Sequence, residues 1–150
     1  QRAGGCQEPY NLEAQAQDGA LADYDNLKKE LTAERLAMRN AATDEMAYRL
    51  IPVLDNFDQA LKFKPEGLNG TAEGWLQGIL HVRTQLENVL QEMGVQPFGA
   101  PGEPFDPHVH DAASEETSER VEVGKIIEVV QRGWKRSSRV LRPAKVTVSK

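Results

Sequence analysis

The chain of 150 residues has few of the residues that build a large core or a covalent scaffold. Only 6% of its residues are aromatic, and Cys6 is its single cysteine, so no disulfide can form within the chain. No segment approaches the ~20 consecutive apolar residues that cross a membrane, and the opening residues lack the basic start and apolar run of a signal peptide. These absences predict a cytoplasmic protein, not bound to membranes, whose apolar core is thin or is shared with a second copy.

The chain also lacks an overall positive charge, since its formal net charge is −5 at pH 7. This argues against binding to nucleic-acid phosphates. Basic residues are nevertheless concentrated in 125–150, where eight Lys and Arg residues accompany one acid, Glu128. We expect them to steer this segment towards an acidic protein surface; the alternative is recruitment of nucleic acid. No Ser-His-Asp order, phosphate loop or CxxC pair is present, so we predict no catalytic residue and no cofactor.

Residues 21–61 contain no glycine and are rich in helix-forming residues, which predicts one long helix. Apolar residues recur in steps of three and four, and several pairs stand eleven residues apart, the spacing of a nearly straight apolar stripe. A helix of this length would reach ~60 Å at ~1.5 Å per residue, which is too long for a compact chain of this size. We therefore predict a homodimer in which the stripe forms the interface. Its residues are Leu27, Leu31, Met38, Ala42, Met46, Leu50, Val53, Phe57 and Leu61.

One alternative to the paired long helix remains open. Proline inside a helix costs about 3 kcal/mol, so Pro52 could divide the stretch into two helices that fold on each other. Residues 1–20 show no sustained apolar period and are expected to form a flexible tail, with some helix after Asn11 as the alternative.

Residues 64–70 are rich in Gly, Pro and Asn and predict a turn. A second helix is expected from a capping Thr71, with Glu73 in its first turn, to Gly94 as a left-handed C-cap. Two helices joined by a short turn form a hairpin, and two hairpins in a dimer would form a four-helix bundle. Trp75 on this helix is expected to lie in the core, as is Trp134 further along; the alternative for both is an exposed anchor in an interface.

Prolines and glycines exclude a helix directly after Gly94. The β-branched segments 125–130 and 140–148 predict strands, and the polar segment 114–122 predicts a loop. The fold class is therefore α+β. Its expected parts are a tail (1–20), a dimerisation helix with the bundle hairpin (21–94) and a compact all-β domain (95–150).

Four segments stand in order along residues 21–150. They are YDNLKK (24–29), IPVLDNFDQAL (51–61), GEPFDPHVHDA (102–112) and VVQRGWKRSSRVLRPAKVTV (129–148). In order and spacing they resemble the GrpE family, whose patterns are YxNxxKR, LPVxDNxxRAL, GExFDPxxHxA and QKGYxxxxRxLRPAxVxV. The match of the first segment is weaker than that of the other three.

This resemblance implies an elongated dimer with paired helices, a central four-helix bundle and one β-domain per subunit. It also implies a nucleotide exchange factor, a co-chaperone without enzymatic activity. Such a factor binds the ATPase domain of a DnaK-type chaperone and opens its nucleotide cleft so that ADP leaves and ATP rebinding frees the client. The chaperone contacts that the resemblance implies are Lys28, Gly78, Val130, Arg139 and Val148.

Four positions depart from the family pattern, and at one of them Lys145 replaces a residue that is commonly apolar. Glu30 stands where relatives often have Arg, and Ala37 and Ala41 stand where some have a basic and an aromatic contact. They motivate an alternative function, a dimeric coiled-coil adaptor without exchange activity. The stripe is also weak between Met38 and Met46, because alanine buries little surface. The paired helices are therefore expected to loosen before the β-domain on heating, which would make exchange sensitive to temperature.

The third family segment, residues 102–112, contains the only cluster that could bind a metal ion. His108 and His110, with Asp106 and Asp111 beside them, could serve a zinc-dependent hydrolase. The favoured interpretation is a tight turn at Pro107, in which Asp106 hydrogen-bonds its own backbone. The family resemblance supports this turn without a metal. Its structural residues are Phe105, Asp106, Pro107 and His110.

Overall fold

The computed structural model describes the backbone of residues 8–150 and the side chains of residues 11–150. These residues form two α-helices and six β-strands, so the α+β class is confirmed. They divide into a helical unit that ends at Ala42 and a second unit of residues 43–150. The elements are α1 (Glu8–Lys62), α2 (Gly70–Glu92), β1 (Val95–Phe98), β2 (His110–Glu116), β3 (Ile126–Gln131), β4 (Gly133–Arg136), β5 (Arg139–Arg142) and β6 (Ala144–Ser149).

The first helix begins at Glu8, earlier than the predicted start at Leu21. Part of the segment that we expected to be a flexible tail, residues 8–20, is therefore helical, and residues 1–7 lie outside the described residues. This stretch is rich in Ala, Gln, Glu and Leu, whose helix propensity outweighs the ~1 kcal/mol that Gly19 costs inside a helix.

Pro52 lies inside α1 and does not end it, so the alternative of two helices separated at this proline is wrong. A proline in a helix interior loses one backbone hydrogen bond and costs about 3 kcal/mol. Ile51 and Leu54, on either side of Pro52, are fully buried. Burial of each such side chain contributes about 1.5–3 kcal/mol, which offsets the cost of the proline.

In the second unit, one face of α1 is covered by the rest of the same chain. Ala47, Ile51 and Leu54 are fully buried and belong to one core cluster. The cluster is completed by Leu90 of α2, Val95 of β1 and Trp134 of β4. The predicted core position of Trp134 is thus confirmed. The prediction of a single apolar stripe on this helix therefore missed a second apolar face.

The turn between the helices occupies residues 63–69, close to the predicted 64–70. The N-cap of α2 is Asn69, which has extended backbone angles, and Thr71 lies inside the helix, so the predicted Thr71 cap is wrong. Glu73 does lie in the first turn. After the helix Gly94 has φ 82° and its N–H donates to Gln91 O at 2.9 Å, which confirms the predicted left-handed glycine.

The strands form two three-stranded sheets, ordered β1-β4-β5 and β2-β6-β3. All pairs are antiparallel except β2 with β6, which is parallel. Pro97 lies in β1, which is an edge strand. The N–H that proline lacks is tolerated there, because one side of an edge strand has no neighbouring strand to bond. The predicted segment 140–148 is divided between β5 and β6 at Pro143. The predicted loop 114–122 is wrong at its start, because residues 114–116 continue β2.

Candidate interaction site

Charged side chains join the β-strands to the two helices in the second unit. Asp58 of α1 accepts from Arg83 of α2, with 2.7 Å between Nη2 and Oδ1, and approaches Arg132 Nη2 at 3.1 Å through Oδ2. Glu87 of α2 contacts the same two arginines at 3.3 and 3.1 Å. The four side chains are 17–30% exposed, so water screens them only in part. These ion pairs therefore hold Arg132, the residue between β3 and β4, against both helices.

A second set of charged contacts lies one turn earlier on α1. Asp55 accepts two hydrogen bonds from the Arg142 guanidinium, one of them 2.9 Å long from Nη2 to Oδ1. Gln131 Nε2 donates to the same carboxylate at 2.9 Å. Arg142 Nη2 also donates to the carbonyl of Arg132 at 2.7 Å. We call Asp55, Asp58, Glu87, Arg83, Arg132 and Arg142 the polar clamp.

The third charged contact involves Asp44, near the start of the second unit. Its carboxylate is 6% exposed and lies 3.0 Å from Arg136 Nε through Oδ1. Through Oδ2 it lies 3.5 Å from Arg139 Nη1. Arg136 also donates to the carbonyl of Met93 at 3.1 Å.

The expected steering role of the basic residues in 125–150 does not hold for three of them. Arg132, Arg136 and Arg142 are ion-paired with acids of the helices. Each of the three side chains is less than 25% exposed. Of the remaining basic residues, Arg139 and Lys150 expose 71% and 75% of their side chains and can act at longer range.

The predicted contact residues of the β-strands are not equally accessible. Val130 is 47% exposed and lines a groove of about 510 Å³ beside the polar clamp. Arg139 is largely exposed at the start of β5. Val148 is half-buried and packs against a second core cluster formed by Ile126, Ala144 and Val146. Val148 therefore has a structural role whatever it contacts outside the chain.

The two predicted helix contacts are both exposed. Lys28 lies in the helical unit and lines a shallow groove with Tyr24, Leu27, Leu31 and Arg35. Gly78 lies on α2, and a Cβ added there would meet no atom within 4 Å. No neighbouring element within the described part of the chain therefore packs closely against this glycine.

Large apolar side chains remain exposed on both helices. Among the predicted interface residues, Leu27, Leu31, Met38, Met46 and Val53 expose between 41% and 70% of their surface. Ala42 is also exposed, whereas Leu50, Phe57 and Leu61 are half-buried. Leu50 packs in part against the core of its own chain.

The second helix has an exposed apolar face of its own. Trp75, Val82 and Val89 stand at seven-residue intervals and are 70%, 53% and 47% exposed. The expectation that Trp75 lies in the core of the chain is therefore wrong. Trp75 also lines an apolar pocket of about 370 Å³ with Phe57, Leu61 and Ile79. A pocket with this lining is suited to apolar side chains rather than to a polar ligand.

The turn after Phe105 is held by hydrogen bonds. Asp106 Oδ1 accepts from the backbone N–H of His108 at 2.9 Å, and the Asp106 N–H donates to His110 Nδ1 at 3.0 Å. His110 is 8% exposed, and its ring lies 6.0 Å from those of Phe98 and Phe105. One ring nitrogen of His110 is thus already engaged by backbone. Within residues 11–150, no three His, Cys, Asp or Glu side chains gather as metal ligands would.

One carboxyl of the β-strand region has a shifted pKa. The Lys125 ammonium, 2.6 Å away, donates a hydrogen bond to Glu122 and by this bond and its charge lowers the pKa of that carboxyl. Glu122 is exposed and its pair with Lys125 is separate from the polar clamp, so this shift concerns the local turn only. No helix among the described residues is long and apolar enough to span a bilayer.

The class of protein defined by these observations is an α+β protein in which a β-sheet region is fixed to two helices by partly buried ion pairs. Its sequence matches the GrpE family model over residues 7–150. The chain therefore belongs to the GrpE family.

Individual relatives agree with the family match. Protein GrpE from Geobacillus kaustophilus (strain HTA426) is 38% identical over 128 residues, which is 85% of this chain and 59% of the relative. Protein GrpE from Brevibacillus choshinensis is 34% identical over 149 residues, 95% of this chain and 82% of the relative. Protein GrpE from Protochlamydia amoebophila (strain UWE25) is 35% identical over 130 residues, which is 87% of this chain and 61% of the relative. The chain thus spans about three fifths of the length of the first and third of these relatives.

Proposed function

We propose that this chain is a nucleotide exchange factor that binds the ATPase domain of a DnaK-type chaperone and accelerates the release of ADP. The observation that carries the proposal is the match to the GrpE family over residues 7–150. The activity requires no reaction chemistry in the factor itself. It requires that the factor bind the open form of the nucleotide cleft more tightly than the closed, ADP-loaded form, because a ligand shifts an equilibrium only by its differential affinity.

The polar clamp gives a physical reason why the β-strand region can act as a wedge. A wedge opens a cleft only if it does not yield when it meets the chaperone. The clamp joins Arg132 and Arg142 to acids on α1 and α2 through several partly buried ion pairs. Charge-assisted, two-pronged contacts of arginine fix geometry as well as contribute energy. We propose that Val130 and Arg139 are the accessible contacts on this wedge, with Val148 acting mainly as support, and that Lys28 and Gly78 are contacts on the helices.

We propose further that the chain acts as a homodimer. Exposed residues of the predicted stripe are uncovered in each unit of the single chain: Leu27, Leu31 and Met38 in the first, and Met46 and Val53 in the second. The face of α2 with Trp75, Val82 and Val89 is uncovered as well. Contiguous apolar patches of this kind on a soluble chain mark interaction sites, and two helical hairpins packed through such faces form a four-helix bundle. Sedimentation should give twice the mass of 16.7 kDa; a monomer at micromolar concentration would contradict the dimer.

The paired helices are also a candidate for temperature sensing. Ala41 and Ala42 lie at the end of the helical unit, where they offer little surface for burial. On heating, helical circular dichroism should therefore decrease before the emission of the buried Trp134 changes, with both signals read in a Trp75→Phe variant. A single transition in both signals, with exchange unchanged up to it, would contradict this part of the proposal.

The test of the proposed function is an affinity comparison. Binding of the chain to the cognate ATPase domain is measured by calorimetry with the nucleotide removed and again with saturating ADP. Linkage requires that the chain bind more weakly in ADP, and that ADP bind more weakly by the same factor when the chain is present. Equal affinity in both states would exclude an exchange factor and would select a dimeric adaptor instead.

A further inference from the structure

Two arginines of one β-hairpin converge on a single buried carboxylate of α1. Arg136 ends β4 and Arg139 begins β5, and the turn between them contains Ser137 in the left-handed region at φ 49°. Both guanidinium groups reach Asp44, Arg136 to Oδ1 at 3.0 Å and Arg139 to Oδ2 at 3.5 Å. The carboxylate is thus shared between the two ends of the hairpin turn.

The two arginines differ in burial. The Arg136 side chain is 16% exposed and also donates to the carbonyl of Met93, so it lies on the buried side of the Asp44 carboxylate. The Arg139 side chain is 71% exposed, and a long exposed side chain of this kind loses rotamer freedom whenever it binds a partner. A guanidinium has five N–H donors, and its contact with Asp44 engages only one edge. The other donors remain available to a carboxylate of a partner.

We propose that Asp44 is a positioning residue that orders the Arg139 guanidinium for the chaperone before the two proteins meet. This inference rests on the proposed function, because it assigns a role to a residue behind the contact surface. A side chain that is already ordered loses less entropy on binding, so its contact contributes more to affinity. Asp44 should therefore affect the affinity for the chaperone, while the rate of ADP release in the complex stays the same.

The test measures the release of a fluorescent ADP analogue from the cognate chaperone at rising concentrations of the full chain. The Asp44→Asn variant should raise the half-saturating concentration about two- to fivefold, the range for an ion pair with one exposed partner, and leave the maximal rate unchanged. Asp44→Glu should recover most of the loss. In an Arg139→Ala background, Asp44→Asn should cause no further change, since the two residues act as one unit.

Two controls separate positioning from stability. Arg136→Met removes the buried partner but keeps the Asp44–Arg139 pair, so it should lower the melting temperature and leave half-saturation unchanged. Glu45→Gln removes the neighbouring carboxylate, which is 61% exposed and paired with Arg49, and should change neither quantity. Equal losses from Asp44→Asn with and without Arg139 would overturn the inference, as would a normal half-saturation in Asp44→Asn.

An independent measurement keeps the inference distinct from the proposed function. Nuclear magnetic resonance of the free chain should show slowed rotation of the Arg139 guanidinium, and Asp44→Asn should abolish the slowing. If this holds but the unmodified chain does not accelerate ADP release, the proposed function fails and Asp44 only orders a surface arginine. If the guanidinium rotates equally fast in both chains, the positioning role is wrong even where ADP release is accelerated.

Discussion

Asp55→Asn tests whether the polar clamp holds the β-strand region on the helices. The substitution keeps the shape of the side chain but removes the charge that accepts two hydrogen bonds from Arg142 and one from Gln131. Loss of an exposed ion pair costs about 0–1 kcal/mol, and removal of one partner of a buried pair costs about 3–5 kcal/mol. The side chains of Asp55 and Arg142 are 21% and 15% exposed, so this pair lies between these limits. We expect a loss of about 2–3 kcal/mol.

Urea unfolding, followed by the emission of Trp134 at a fixed chain concentration, measures this loss. With a slope of roughly 1–3 kcal/mol per molar urea, the midpoint should fall by about 1 M. Glu45→Gln, on the same helix but in an exposed pair, should lose no more than about 0.5 kcal/mol. Replacement of both clamp partners, by Asp55→Leu with Arg142→Met, should recover most of the stability, because no charge is left uncompensated. If Asp55→Asn loses no more stability than Glu45→Gln, the polar clamp contributes little to stability. The proposal that it makes the β-strand region a rigid wedge would then be wrong.

Three further results are expected. Gly133→Ala places a Cβ in overlap with the edge of the Phe98 ring and 2.8 Å from the backbone nitrogen of Ala144, and it should cost about 1–3 kcal/mol in urea unfolding. Gly78→Ala meets no atom within 4 Å and should instead gain up to about 1 kcal/mol. On dilution the proposed dimer should dissociate and expose Trp75 to water, so the emission of the chain should shift to the red. This shift should vanish in Trp75→Phe. An equal shift in both chains would mean that Trp75 does not lie in the interface. Nitrogen resonances of neutral His110 should show the proton on Nε2, because Nδ1 accepts a backbone N–H; a proton on Nδ1 would contradict the described turn.

Features that depend on neighbouring residues could be predicted from the sequence. The absence of glycine in 21–61 and the step of three and four between apolar residues were sufficient for the long helix. Gly94 was sufficient for the left-handed end of α2. β2 could not be found this way, because HDAASEE has no apolar alternation and six of its seven residues are exposed. It is a strand because its backbone pairs with β6, and the local sequence does not encode that pairing.

Features that depend on contacts between residues far apart in the chain could not be predicted from the sequence. Asp55 and Arg142 stand 87 residues apart, and neither side chain differs locally from an exposed charge. The spacing of Ala47, Ile51 and Leu54 was visible, but the neighbouring residues from Met46 to Leu61 have the same period, and only packing shows which face the chain itself covers. For the candidate site, family segments located Arg139 and Val130, but the structure was needed to reveal Asp44 behind Arg139.

The most direct test of the account is the dissociation rate of a fluorescent ADP analogue from the cognate DnaK-type chaperone, followed by stopped flow as the concentration of this chain is raised. If the chain is an exchange factor, the dissociation rate of the analogue should increase hyperbolically to a plateau well above the spontaneous rate. A rate that stays at the spontaneous value, at concentrations where the two proteins are shown to bind, would contradict it.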